Sequence, residues 1–210
     1  AELRLRQLAK LRERLANAQT RGGVESDEIE HLKQQIDREE TSLIPVLSEL
    51  GMRREMLDLI GAYLAHYVEH KVKPLWMIHL VHHTDHEVDT TTANRHHPFE
   101  SLIRFFFTLT GVFLVGTPIG IVMLYQSLSL LATQFSHANI RLPRKVDHAL
   151  SWVLVSPDMH KVHHHYVLPY TDSNYGNIFS IWDRLFGTYM ELDRDKLVYG
   201  VDTFPDRKEN

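Results

Sequence analysis

The sequence predicts an all-α protein: a helical bundle with a histidine-rich di-metal core and an apolar helical hairpin, either membrane-embedded or buried. Three observations carry that expectation. Apolar residues in the first fifty positions recur at helical spacing. Nine histidines fall at spacings that bring them onto shared helix faces. Residues 105–140 contain no Asp, Glu, Lys or Arg and are divided by a single proline, Pro118.

Residues 2–20 carry Leu8, Leu11 and Leu15 among charged and amide side chains, the pattern of an amphipathic helix. "RGG" at 21–23 breaks it, and Ser26 followed by Asp27 and Glu28 reads as a new helix start. Ile29, Leu32, Ile36, Leu43, Val46, Leu47 and Leu50 then hold roughly a seven-residue spacing, with a kink expected at Pro45. Residues 1–50 thus read as a hydrophilic amphipathic hairpin, with an oligomerising coiled coil as the alternative, and residues 51–210 as the metal domain. A third helix is expected over about 53–73, then a histidine-rich helix from 75 that gives way to a loop at "DTTTANRHHP".

The uncharged stretch follows. Pro118, between Gly116 and Gly120, splits it into two arms, each short of the roughly 20 residues of a perpendicular span. Arg104 precedes it and Arg141, Arg144 and Lys145 follow it, so both ends are expected on the same polar side of a bilayer contacted through 105–135. A buried hairpin in a soluble bundle is the competing reading. Beyond Pro143 one helix is expected to carry "DHALSWVLVSPDMHKVHHH", and a turn-rich aromatic segment and a polar tail complete the chain.

Composition narrows the chemistry. The net charge of -4 offers no basic field for nucleic acid. The absence of cysteine excludes disulfides, iron–sulfur clusters and cysteine nucleophiles. The charged N-terminal residues lack the apolar run of a signal peptide. Of fifteen histidines, fourteen lie between His66 and His165, so the chemistry is expected there.

His66 and His70 stand at i, i+4, while His79, His82 and His83 form an i, i+3, i+4 triangle repeated by His160, His163 and His164. His137 adds one ring at the end of the apolar arm. Charging nine neighbouring imidazoles is strongly repulsive, and packing them neutral leaves ring nitrogens unsatisfied. Metal ions resolve both problems, and nine ligands exceed what one ion accepts. Two metal ions held within a helical bundle are therefore expected.

At "HYVEH", "LWMIHLVHH", "TTANRHHPFE", "FSHANIRLP" and "SPDMHKVHH" followed by "TDSNYGNIFSIWDRLFGTY", the chain resembles the fatty acid hydroxylase / sterol desaturase superfamily, over about Asp58 to Tyr189. The resemblance implies a membrane enzyme that uses O2 and an external electron donor to hydroxylate or desaturate a lipid C–H bond. It implies a metal site on the cytoplasmic side that holds two ions, iron expected and zinc possible in a purified sample. It maps His66, His70, His79, His82, His83, His137, His160, His163 and His164 onto the family's metal ligands. His97 is a candidate tenth ligand or an outer hydrogen-bonding group, and Asp85, Asp89, Asp172 and Asn174 are candidates to orient imidazoles. His86 and His96 are expected at the surface or as hydrogen-bonding groups behind the ligands, His165 beside the comb without binding, and Trp182, Phe186 and Tyr189 in the core, with lining the lipid channel as their alternative.

Two features depart from the family's pattern: Tyr67 stands where relatives carry Arg, and residues 1–50 are polar where relatives have apolar spans. They keep open a second reading, a helical metal-binding scaffold without turnover that is soluble if the chain is redesigned or truncated. Zinc-dependent hydrolysis is a third reading, and no Glu general base of the H-E-x-x-H kind supports it.

Overall fold

The computed structural model describes residues 2–20 and 26–202. They form two compact units that divide after Arg53. Among the described residues no β-strand forms; Leu154–Phe179 and His165–Tyr199 make isolated bridges.

The first unit pairs α1 (Glu2–Thr20) with the leading part of α2 (Ser26–Asp58). Leu11, Ala18 and Leu32 bury against each other, with Leu15, Ile29 and Ile36 packed around them. Arg4 donates to Ser42 and Arg12 to Glu40, which fixes an antiparallel register. These exposed polar contacts add little beyond that registry. The expected break at "RGG" lies outside the described residues. Pro45 sits inside α2, which runs on through Gly51 to Asp58, so no new helix starts near 53. One glycine among good helix formers lowers helix propensity by only about 1 kcal/mol and does not end the helix.

In the second unit, a π-helical turn (Leu59–Leu64) follows Asp58 and leads into α3 (Ala65–Lys71). Extended Val72 and Pro74 turn the chain sharply into α4 (Lys73–His83). The hairpin comprises α5 (Pro98–Val115) and α6 (Ile119–His137), joined where Gly116 adopts φ 62° ahead of Pro118. Gly116 suits this left-handed position because it has no Cβ. The π turn packs closely on α5: a Cβ on Gly61 would meet Thr108 Oγ1 at 3.0 Å, and one on Gly111 would meet Leu57 at 3.3 Å. Leu57, Tyr125 and Ile178 form the buried cluster under the hairpin. The outer faces of both arms expose Phe105, Phe106, Phe113, Leu114, Ile119, Met123 and Leu131. Within this chain the hairpin is therefore an outer layer.

The single helix expected after Pro143 is two: α7 (Arg144–Leu150) and α8 (Pro157–His163). Pro157 disfavours helical geometry at Ser156, which instead caps α8 by accepting from the Met159 N–H. Between the helices, Val155 N–H donates to the Ile178 carbonyl.

Two buried carboxylates organise the turn-rich segment around the short α9 (Ile181–Leu185). Asp58 accepts from Ile178 N, Phe179 N and Trp182 Nε1. Asp183 accepts from Tyr175 N, Gly176 N and Thr188 Oγ1. Burial pushes both carboxyls up to about 6 against these donors. Gly176 allows the close approach, since a Cβ there would stand 2.8 Å from Asp183 Oδ2. Trp182 thus anchors to Asp58, whereas Phe186, expected in the core, is largely exposed and stacks on Tyr63. Asp183→Ala would strand three donors and is expected to destabilise this unit by about 3–5 kcal/mol. Urea denaturation checks it; a loss below about 1 kcal/mol would show that the donors find other partners. The expected polar tail beyond 202 lies outside the described residues.

Candidate metal centre

The nine histidines converge from α3, α4, α6 and α8, each less than a tenth exposed. They separate into two groups. His66, His70, His79, His83 and His163 form one, and His82, His137, His160 and His164 the other. Within each group the candidate ligand atoms lie within 4.8 Å of one another. The i, i+4 pair on α3 and the triangles at the ends of α4 and α8 supply eight rings, and the last residue of α6 supplies the ninth.

Hydrogen bonding decides what these rings hold. His66 Nδ1 donates to the Tyr175 carbonyl (3.0 Å) and His163 Nδ1 to the Ser173 carbonyl (2.6 Å). His79 Nδ1 donates to Glu100 Oε1 (2.9 Å), His137 Nδ1 to the Thr133 carbonyl (2.8 Å), and His70 Nδ1 lies 3.4 Å from Asp172 Oδ1. In a neutral ring a donating Nδ1 leaves Nε2 as a lone pair. Those lone pairs point inward: His66 Nε2 and His79 Nε2 stand 3.2 Å apart with no proton available between them. Nε2 of His70 and of His163 meets no protein partner at all.

The rings stay neutral because burial drives them down. His66, His82, His83, His160, His163 and His164 fall well below the ordinary imidazole value, His79 to about 4 and His70 to about 3, with burial the largest cause throughout. Converging neutral lone pairs are the donor set of a divalent transition metal, so the residues present fit two such ions.

The residues expected to support the ligands divide. Asp172 takes the expected place beside His70 and also holds Lys71 Nζ at 2.5 Å. Burial favours its neutral form, yet the hydrogen bonds from His70 and Lys71 win and keep it well below the usual carboxylate range. Asp85 accepts from Thr92 and Asp89 from Thr91, both within the loop after α4. Asn174, at φ 52°, ties Met159 to Met190 through its amide. None of these three touches an imidazole. His97 accepts from the Phe99 N–H and caps α5, which turns it away from both groups. His86 packs on Gly200, and His165 accepts from the Val198 N–H.

Three contributors, Glu100, Arg104 and Glu69, were not singled out as site residues, and His96 takes the supporting place that was one of its two expected positions. Glu100 is fully buried, with Oε1 also 2.8 Å from His96 Nδ1 and 3.1 Å from Arg104 Nε. Arg104 bridges on to Glu69 at 2.7 Å, so it belongs to the site as well as to the hairpin's polar end. Burial pushes Glu69 up to about 7 despite that arginine. His96, expected outside the ligand set, stacks on His82 with ring centroids 4.7 Å apart. The signal for this network was the four-residue spacing of His96, Glu100 and Arg104, the last two on the first turns of α5 and His96 just before it. A cavity of about 40 Å³ borders the centre, lined by His66, His82, His96, His137 and His160 and closed opposite by Thr133 and Asn177.

Comparison with known proteins agrees with this geometry. The family model for fatty acid hydroxylase matches residues 56–188. Alkylglycerol monooxygenase of Xenopus tropicalis is 29% identical over 143 residues, covering 67% of this chain and 30% of its own. Ornithine lipid hydroxylase OlsE of Rhizobium tropici is 26% identical over 129 residues, covering 61% of this chain and 38% of its own. A very-long-chain aldehyde decarbonylase of Oryza sativa is 32% identical over 126 residues, covering 59% and 47%. The chain therefore spans between about a third and a half of the length of these relatives. No solved structure matches it. With its family model covering well over half of the sequence, and the histidine motifs gathered into two facing clusters, the chain belongs to the fatty acid hydroxylase family.

Proposed function

We propose that this protein is a di-iron lipid hydroxylase that inserts one oxygen atom of O2 into an unactivated C–H bond. The observation that carries the reading is the pair of facing imidazole groups with inward lone pairs. The relatives named for acting on alkylglycerols and ornithine lipids support a lipid with a polar head. Balance requires two electrons and two protons per turnover: R–H and O2 become R–OH and water. The chain has no cysteine for an iron–sulfur cluster, so the electrons are assigned to a separate donor protein.

When bound, a pair of iron ions supplies the O2 activation that amino acids cannot. The protein's own residues do the rest. Nine rings hold the pair, with Asp172, Glu100 and three backbone carbonyls fixing ring orientation. Ala132 and Ile178 border an apolar cavity of about 310 Å³ beside α6, and their chain neighbours Thr133 and Asn177 border the small metal-facing cavity.

The same reading places α5 and α6 in a bilayer. Their 18 and 19 residues reach about 27–29 Å at 1.5 Å per residue, close to the roughly 30 Å hydrocarbon core. On this reading Arg141, Arg144 and Lys145, which follow the metal end of α6, favour its lying on the cytoplasmic side.

The test is turnover of iron-loaded protein with a reductant system and a panel of glycerol ether, ornithine and fatty acyl lipids under ¹⁸O2. The expected product is an alcohol carrying one labelled atom, with none formed anaerobically. Product without O2 would favour hydrolysis, and tight metal binding without product across the panel would favour the scaffold.

A further inference from the structure

The two imidazole groups are backed very differently. In the five-ring group, four rings have Nδ1 turned to an acceptor: His66 to Tyr175 O, His163 to Ser173 O, His79 to Glu100 and His70 to Asp172. Two of those acceptors are carboxylates. In the four-ring group only His137 is so backed, by Thr133 O, while Nδ1 of His82, His160 and His164 meets no protein partner. Access does not separate them: His82, His137, His160 and His66 line the small cavity, and His70 of the five-ring group lines a second one of about 210 Å³ together with Asp172.

We infer that the two metal positions are unequal: the five-ring position holds its ion tightly, the four-ring position exchanges its ion, and Asp172 and Glu100 are the positioning residues that set the difference. Three effects add in one direction. One more ligand raises affinity. A fixed tautomer removes the work of orienting each ring before it binds. A carboxylate behind the ring increases its basicity and partly neutralises the ion's charge across the imidazole. The four rings would give their ion none of these advantages beyond the backing of His137.

The inference rests on the two-ion reading, and one experiment separates the two. The metal-free full chain is loaded with zinc alone, its stoichiometry is measured, and zinc is withdrawn with excess chelator. Two zinc ions leaving in two resolved phases, one per ion, are expected. Asp172→Asn and Glu100→Gln are expected to speed the slow phase about 10–100-fold and leave the fast phase within about two-fold. Asp172→Glu, which restores the carboxylate, recovers most of the slow phase. Asp172 is partly exposed, so its variants report even if the buried Glu100→Gln protein fails to fold. Fewer than two zinc ions on a folded chain would sink the two-ion reading and this inference with it. Two ions leaving in one phase, or variants that speed both phases alike, would overturn the inference alone.

Discussion

Replacing His82 by alanine is expected to lower the metal content from about two ions per chain to about one while the fold remains. His82 belongs to the smaller group, so the variant leaves three rings, His137, His160 and His164, around a position that has little support behind it. The lost ring also lines the cavity and stacks on His96, so the O2-dependent product is expected to fall at least 100-fold. An outer-partner loss alone costs about 10–100-fold in affinity or activity, and losing a ligand costs more. His163→Ala is expected to weaken the five-ring position, since it removes the ring tied to the Ser173 carbonyl. His97→Ala provides the contrast. Its ring caps α5, so it is expected to keep both ions and lose only about 1 kcal/mol of stability. Elemental analysis of the three variants, with circular dichroism to confirm folding, checks all of this. A His82→Ala protein that still carries two ions would refute the four-ring position.

That contrast also marks where the sequence stopped speaking. Ligand spacing is a local property of helices, so "HYVEH", "HLVHH" and "HKVHH" announce their faces without any tertiary information. The hairpin was equally legible, because Pro118 and an uncharged run are local facts. What holds the rings was not. Three of the acceptors behind them are the backbone carbonyls of Thr133, Ser173 and Tyr175, and a carbonyl has no letter of its own. Choosing between His96 and His97 needed the start of α5: Pro98 begins the helix, His97 becomes its cap, and His96 is left facing Glu100. Asp85, Asp89 and Asn174 look like imidazole partners in a one-dimensional reading, yet turn geometry claims each of them first. Arg104 read as a membrane-edge charge because its partners Glu69 and Glu100 come from two different helices.

The same buried rings set a steep dependence on pH. Metal-free protein is expected to unfold cooperatively as pH falls below 6.5, within about one to two units. The sign follows from where protons bind. Eight histidines on α3, α4 and the α8 end have folded values pushed below 6.5 by burial, His79 to about 4 and His70 to about 3. Between the folded values and 6.5 the unfolded chain binds protons that the folded chain refuses. Their contribution is fully present above 6.5 and is lost as pH falls. Four carboxyls act the other way: Asp58 and Asp183, raised to about 6, Glu69, raised to about 7, and Asp158, also raised by burial, gain protons in the folded state first. The rings outnumber these carboxyls, so unfolding takes up several protons, each worth ~1.4 kcal/mol per pH unit. Several such increments are comparable with the stability of an ordinary domain, about 5–15 kcal/mol, so a steep transition is expected. Bound zinc competes with protons for the same nitrogens and is expected to move the midpoint to lower pH. Far-UV circular dichroism against pH, with and without zinc, measures both midpoint and slope. A metal-free protein that stays folded to pH 4, or that unfolds with an uptake near one proton, would mean the rings are not held neutral together in the interior.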